Sequence, residues 1–100
     1  MAEDKATRVL NSAIKSAINI LNNPPGSCRV VRLSDPDCPF HIECIRYKET
    51  RKIRVVIDKI TDEDRRLCRE WNSDLNKNQY TIELWLKKTG GRGFAKVERI

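Results

Sequence analysis

Ala6, Val9, Leu10, Ala13, Ile14, Ala17, Ile18 and Leu21 recur at spacings of three and four, the apolar stripe of an amphipathic helix. The stripe is almost all small or branched aliphatic, which suits packing on a sheet. It lacks the cationic face and large anchors of a helix lying on a membrane. Asn22-Asn23-Pro24-Pro25-Gly26 ends it, because proline cannot continue the backbone ladder and restricts the residue before it. After that turn the hydrophobic period falls to two. Arg29 to Leu33 (RVVRL) is short and β-branched, a first strand, and Ser34-Asp35-Pro36-Asp37 is a turn.

Pro39 to Lys59 predicts two strands forming a hairpin. Phe40, Ile42 and Cys44 alternate with His41 and Glu43, and Ile53, Val55 and Ile57 alternate with Arg54, Val56 and Asp58. Successive strand residues point to opposite faces, so one face is apolar and the other carries His41, Glu43, Arg54 and Asp58. Glu49-Thr50-Arg51 is read as the connecting turn. Thr61 opens a second helix: its hydroxyl is placed to accept from the backbone of Asp64, and Asp62, Glu63 and Asp64 suit the positive end of the helix dipole. Leu67, Cys68, Trp71 and Leu75 form its buried face, and Asn76-Lys77-Asn78-Gln79 is a polar exit loop. Tyr80 to Lys88 (YTIELWLKK) sets Ile82, Leu84 and Leu86 against Thr81, Glu83, Trp85 and Lys87. Gly90-Gly91-Arg92-Gly93 is a turn where positive φ is easy, and Phe94 to Ile100 is an edge strand whose Lys96 and Glu98 discourage further pairing. The expectation is one α+β (α/β) domain over residues 1–100. Its order is α-β-β-β-α-β-β, with a mixed central sheet flanked by helices.

Composition narrows the classes. With 39% hydrophobic and 34% charged residues the chain suits a globular protein rather than a disordered one. No apolar run approaches the roughly 18 residues of a membrane span. Glu3, Asp4 and Lys5 stand where a signal peptide would have its apolar core, so a cytoplasmic location is expected. A net charge of +6 points to a polyanionic partner. Cys28, Cys38, Cys44 and Cys68 include no C-x-x-C pair and are read as reduced, mostly buried thiols. Cys38, His41 and Cys44 have ligand-like spacing, but on a strand His41 falls on the face opposite both cysteines, so no metal site is predicted there. The Gly90–Gly93 stretch precedes a strand rather than a helix and is no phosphate loop.

RVVRLSDPDCPFHIECI, then KIRVVIDKI, then TDEDRRLCREW, then YTIELWLKKTGGRGFAKVERI together resemble the restriction-endonuclease-like superfamily, the PD-(D/E)XK nucleases, in its small archaeal and phage members. The resemblance covers residues of about 5 to 100. It implies a nuclease-like fold in which carboxylates bind Mg²⁺ or Mn²⁺, activating water and stabilising a phosphodiester transition state, with a lysine adding electrostatic support. Mapped onto this sequence, His41 stands at the strand-two Asp, Ile57 at the Glu or Gln of (Glu/Gln)-x-Lys, and Lys59 at the lysine. The first helix offers Asn11 or Lys15 where some members carry Glu. Imidazole is a poor ligand for Mg²⁺ and isoleucine is none.

The leading expectation is therefore a nucleic-acid-binding domain, with DNA as its partner, whose metal site is degenerate and which needs no cofactor. Arg29, Arg32, Arg46, Lys48, Arg51, Lys52 and Arg54 would contact phosphates. The alternative is a Mg²⁺- or Mn²⁺-dependent endonuclease using displaced carboxylates Glu43 and Asp58, with His41 and Lys59 completing the catalytic set. A third reading is a small homo-oligomeric interaction protein, a homodimer for instance, anchored by Trp85 and binding no nucleic acid.

Overall fold

The computed structural model describes residues 4–23, 28–35, 37–46, 49–73 and 80–100. Helix α1 spans Lys5–Leu21 and is capped by Asp4, whose carboxylate accepts from the Thr7 amide at 2.7 Å. Three strands follow, β1 (Arg29–Arg32), β2 (Ile42–Arg46) and β3 (Glu49–Ile57). Helix α2 (Asp62–Ser73) leads to β4 (Tyr80–Lys87) and β5 (Lys96–Arg99). The predicted order is the observed one. Pro24, Pro25 and Gly26 of the first turn, Lys48, Leu75 and the exit loop at 76–79 lie outside the described residues.

All five strands form one sheet in chain order, β1-β2-β3-β4-β5. β1, β2 and β3 are an antiparallel meander, β4 runs parallel to β3, and β5 returns antiparallel to β4. A parallel neighbour cannot be reached by a tight turn, so the chain crosses over through α2.

The helices take opposite faces. Ala13, Ile14, Ala17 and Leu21 of α1 pack on Ile42, Cys44, Ile53, Val55 and Trp85. Cys68 and Trp71 of α2 join Phe40, Val56, Ile82, Leu84 and Leu86 on the other side. Period-two alternation therefore fills two cores rather than one. The predicted polar face of the hairpin is not a wet surface, because α2 covers it: Lys52 is 8% exposed and its ammonium lies 5.2 Å from the Trp71 ring centre. Phe40 precedes β2 and turns to the α2 side, away from Ile42 and Cys44.

One predicted turn is corrected. Glu49, Thr50 and Arg51 belong to β3, opposite Arg46, Ile45 and Cys44. Glu49 faces Arg46, a cross-strand pair of opposite charge, and Thr50 is β-branched, so pairing persists where charge alone suggested a loop. At α2 the expected cap is present with a reciprocal partner. The Asp64 amide donates to Thr61 Oγ1 at 3.1 Å, and the Thr61 amide donates back to Asp64 Oδ2 at 2.9 Å, a capping box closed by aspartate.

Candidate nucleic-acid interface and the cleft beside it

At the carboxyl end of β3, between the first turn of α1 and the first turn of α2, lies a cleft of about 660 Å³. Val9, Leu10, Val55, Val56 and Ile57 wall it, with His41, Arg54, Asp58, Asp64, Thr89 and Lys5 as its polar members. This is the end of the sheet at which open α/β folds seat ligands.

His41 holds the ladder's last rung. Its backbone amide donates to Ile53 O at 2.9 Å, and its ring Nδ1 accepts from the Val55 amide at 2.9 Å. The Pro39 carbonyl is turned instead to Arg54, accepting from Nη1 at 2.7 Å. The imidazole thus stands in for a strand partner after the chain bends away. With Nδ1 occupied as an acceptor, the neutral ring carries its proton on Nε2 and offers a donor, not a metal ligand. Burial, then the nearby Arg54 and Arg32 charges, lower its pKa from 6.5 to about 4, so the ring is neutral at pH 7.

Of the other catalytic candidates, only Asp58 shares this cleft. It follows the last residue of β3 with φ 67°, in the left-handed region, where Asp is one of the few side chains tolerated. Its carboxylate accepts from the Thr89 amide at 2.6 Å and from Thr89 Oγ1 at 2.8 Å, and its own amide donates to Lys87 O at 2.8 Å. The Thr89 amide, chiefly, holds its pKa below the usual carboxylate range. Lys59 is exposed beyond the strand's end, and Ile57 is a wall of the cleft packed against the α1 core.

Glu43 is elsewhere. It lies on the α2 face in a 3.0 Å ion pair with Lys52, its partner in register. Asp58 is six residues farther along β3 than Lys52, which at about 3.3 Å per strand residue places the two carboxylates roughly 20 Å apart. A single ion cannot bridge them, so the displaced-carboxylate arrangement does not assemble. Asp64, the remaining acid in the cleft, is engaged by Arg54 Nε at 2.9 Å and by the Thr61 amide and hydroxyl. Burial raises its pKa, but those Thr61 and Arg54 hydrogen bonds outweigh it and the net shift is downward. Among the described residues no group of three or more His, Cys, Asp or Glu side chains is arranged to hold a metal ion. Cys38 and Cys44 of the ligand-spaced trio pack in opposite layers.

The seven predicted phosphate contacts divide. Arg51 grips Glu83 with two hydrogen bonds of 2.8 and 2.7 Å, Lys52 pairs with Glu43, and Arg54 pairs with Asp64. Arg54 ties the sheet to α2, while Arg51 and Lys52 close pairs between neighbouring strands; Lys52 is buried and Arg51 and Arg54 are half-buried, each already holding a carboxylate. Lys48 lies outside the described residues. Arg29, Arg32 and Arg46 are exposed. Arg32 Nη2 donates to Asn11 Oδ1 on α1 at 2.7 Å, and Arg8 and Lys15 flank Asn11 at minus three and plus four, the positions that share a helix face. Both are exposed. Together Arg8, Arg32 and Lys15 form a ridge along the α1–β1 edge, reaching about 10 Å along the helix. Among the described residues none of Arg8, Lys15, Arg29, Arg32 or Arg46 is in an ion pair. The spacing around Asn11 is visible in the sequence; the strand brought beside it is not.

Trp85 is 5% exposed, so it cannot anchor a partner. It lies on the α1 face, edge-on to Phe94 with ring centres 5.1 Å apart, and its indole N–H donates to Glu83 Oε1 at 2.9 Å. Among the described residues no helix is long and apolar enough to cross a membrane. No protein-family model, curated protein or solved structure matches the chain.

Proposed function

We propose that this protein is a cytosolic nucleic-acid-binding domain, with DNA as its partner, built on a nuclease-like sheet whose metal-binding acids have been replaced. The observation that carries the reading is the ridge of cations that, among the described residues, join no ion pair, with Arg32 steadied by Asn11 between Arg8 and Lys15. A guanidinium held in place loses less entropy on meeting a phosphate than a free one. Arg29 and Arg46 extend the positive surface along β1 and β2. The α-β-β-β-α-β-β order and the parallel β3–β4 crossover agree with the superfamily resemblance. The replaced positions agree with loss of cleavage: His41 is locked to a backbone amide, Ile57 lines an apolar wall, and Glu43 is remote.

Binding through phosphates is sequence-tolerant and salt-sensitive. Fluorescence anisotropy with labelled duplex and branched DNA at about 50 and 200 mM salt measures both properties. The expected result is binding at low salt that weakens steeply. In the combined variant Arg8→Ala, Arg32→Ala, Lys15→Ala the slope of log affinity against log salt becomes shallower by about 0.9 for each phosphate that is no longer neutralised. No binding at low salt, or an unchanged slope in the variant, would overturn the reading.

A further inference from the structure

Two of the four cysteines meet. Cys28 precedes by two residues Val30, the register partner of Cys44, so both thiols share the α1-facing layer. Their Sγ atoms lie 2.8 Å apart, Cys44 donating its S–H to Cys28, while the Cys28 thiol points to Leu21 O at the end of α1, 3.4 Å away. A disulfide needs about 2.05 Å between sulfurs, so closure asks for under ~1 Å of further approach. Cys38 and Cys68 pack on the α2 side of the sheet and cannot compete for either partner.

We propose that Cys28 and Cys44 are an oxidisable dithiol, a modification site at which a hydroperoxide installs a disulfide within this chain. Cys28 is partly exposed and Cys44 is sealed, which orders the steps. The Cys28 thiolate attacks a peroxide oxygen; the S–O bond forms, the O–O bond breaks, and the leaving hydroxide takes up the released thiol proton as water. The Cys44 sulfur then attacks the Cys28 sulfenic acid. The S–S bond forms, the S–O bond breaks, and hydroxide departs with the Cys44 proton as a second water. Two thiols lose two electrons and hydrogen peroxide gains them. Burial, with the Cys28 hydrogen bond adding to it, raises the Cys44 pKa to about 11, consistent with Cys44 as the second partner rather than the first. The bond would join the start of β1 to β2 beneath the last turn of α1.

The test uses the full chain, folded, treated with stoichiometric hydrogen peroxide, then alkylated in denaturant and weighed intact. The expected product loses two hydrogens, retains two alkylatable thiols of the four, yields a Cys28–Cys44 cross-linked peptide, and reverts with a dithiol reductant. Under the same dose Cys28→Ser keeps all three remaining thiols, whereas Cys44→Ala forms no intrachain bond and is left with an unresolved Cys28 sulfenic acid, trapped as a dimedone adduct, and two alkylatable thiols. Four alkylatable thiols in the treated wild type, a bond through Cys38 or Cys68, a chain-to-chain disulfide on a non-reducing gel, or sulfinic acid at Cys28 without a bond would each overturn the proposal.

Discussion

Glu83 is 2% exposed in the middle of β4, a carboxylate where the strand pattern reads only as polar. Burial alone would raise its pKa. The two Arg51 hydrogen bonds and the Trp85 indole N–H outweigh that, and the group titrates below the ordinary glutamate range. Removing one partner of such a pair strands the other charge. Arg51→Ala is expected to cost about 3 kcal/mol in urea unfolding. Arg51→Met with Glu83→Leu should regain most of that, short of the indole N–H that loses its acceptor. A double replacement no better than the single one would contradict the assignment. His41 supplies a second test. Its folded pKa is below the unfolded value of 6.5, so the unfolded chain takes up the extra proton first. Stability from this group is intact above pH 6.5 and is lost as pH falls toward about 4. An NMR titration of the imidazole C–H resonances should give a midpoint near 4, whereas one near 6.5 would mean the ring is not held against Val55 N.

The strands and helices themselves are legible in the sequence because each announces its own period. The α1 stripe, the Thr61–Asp64 cap and the Gly90–Gly93 turn, with Gly90 at φ 77° and Gly93 at φ 63°, are local features decided by neighbouring residues. What cannot be read is which helix covers which face, since alternation says only that Ile82 and Trp85 point apart. The partners of Arg51 and Arg54 lie 32 and 10 residues away, and no local spacing marks them. Asp58 shows the same limit. Its place after the strand suggests a displaced metal ligand, yet it fastens the end of β3 to Thr89, two residues beyond β4. Asp58→Ala should cost about 1–2 kcal/mol through the lost hydrogen bonds and the left-handed φ it must still adopt. Asp58→Asn, better suited to that φ and still able to accept from Thr89, should cost less. Equal losses in thermal or urea unfolding would show that the clamp contributes nothing.

At the scale of the molecule, the sheet separates two cores that share only its backbone. Cations split as well: those on the inner strands close ion pairs with a neighbouring strand or with α2, and those on the α1–β1 edge stay open to solvent. Arg29, Arg32 and Arg46 are exposed, whereas Lys52 is buried and Arg51 and Arg54 are half-buried, because charge in the sequence does not say which cation will meet a carboxylate brought from elsewhere in the fold. The two tryptophans are divided as well. Trp85 sits beside Phe94 on one face, and Trp71 meets Phe40 edge-on at 4.9 Å on the other. Each indole is thus a built-in optical probe of one layer. Variants retaining a single indole, Trp71→Phe or Trp85→Phe, would let emission follow the α1 core and the α2 core separately. Coincident melting curves, once each variant's own stability is allowed for, are expected of layers sewn to a common β3. Two distinct midpoints would reveal that the layers come apart in turn.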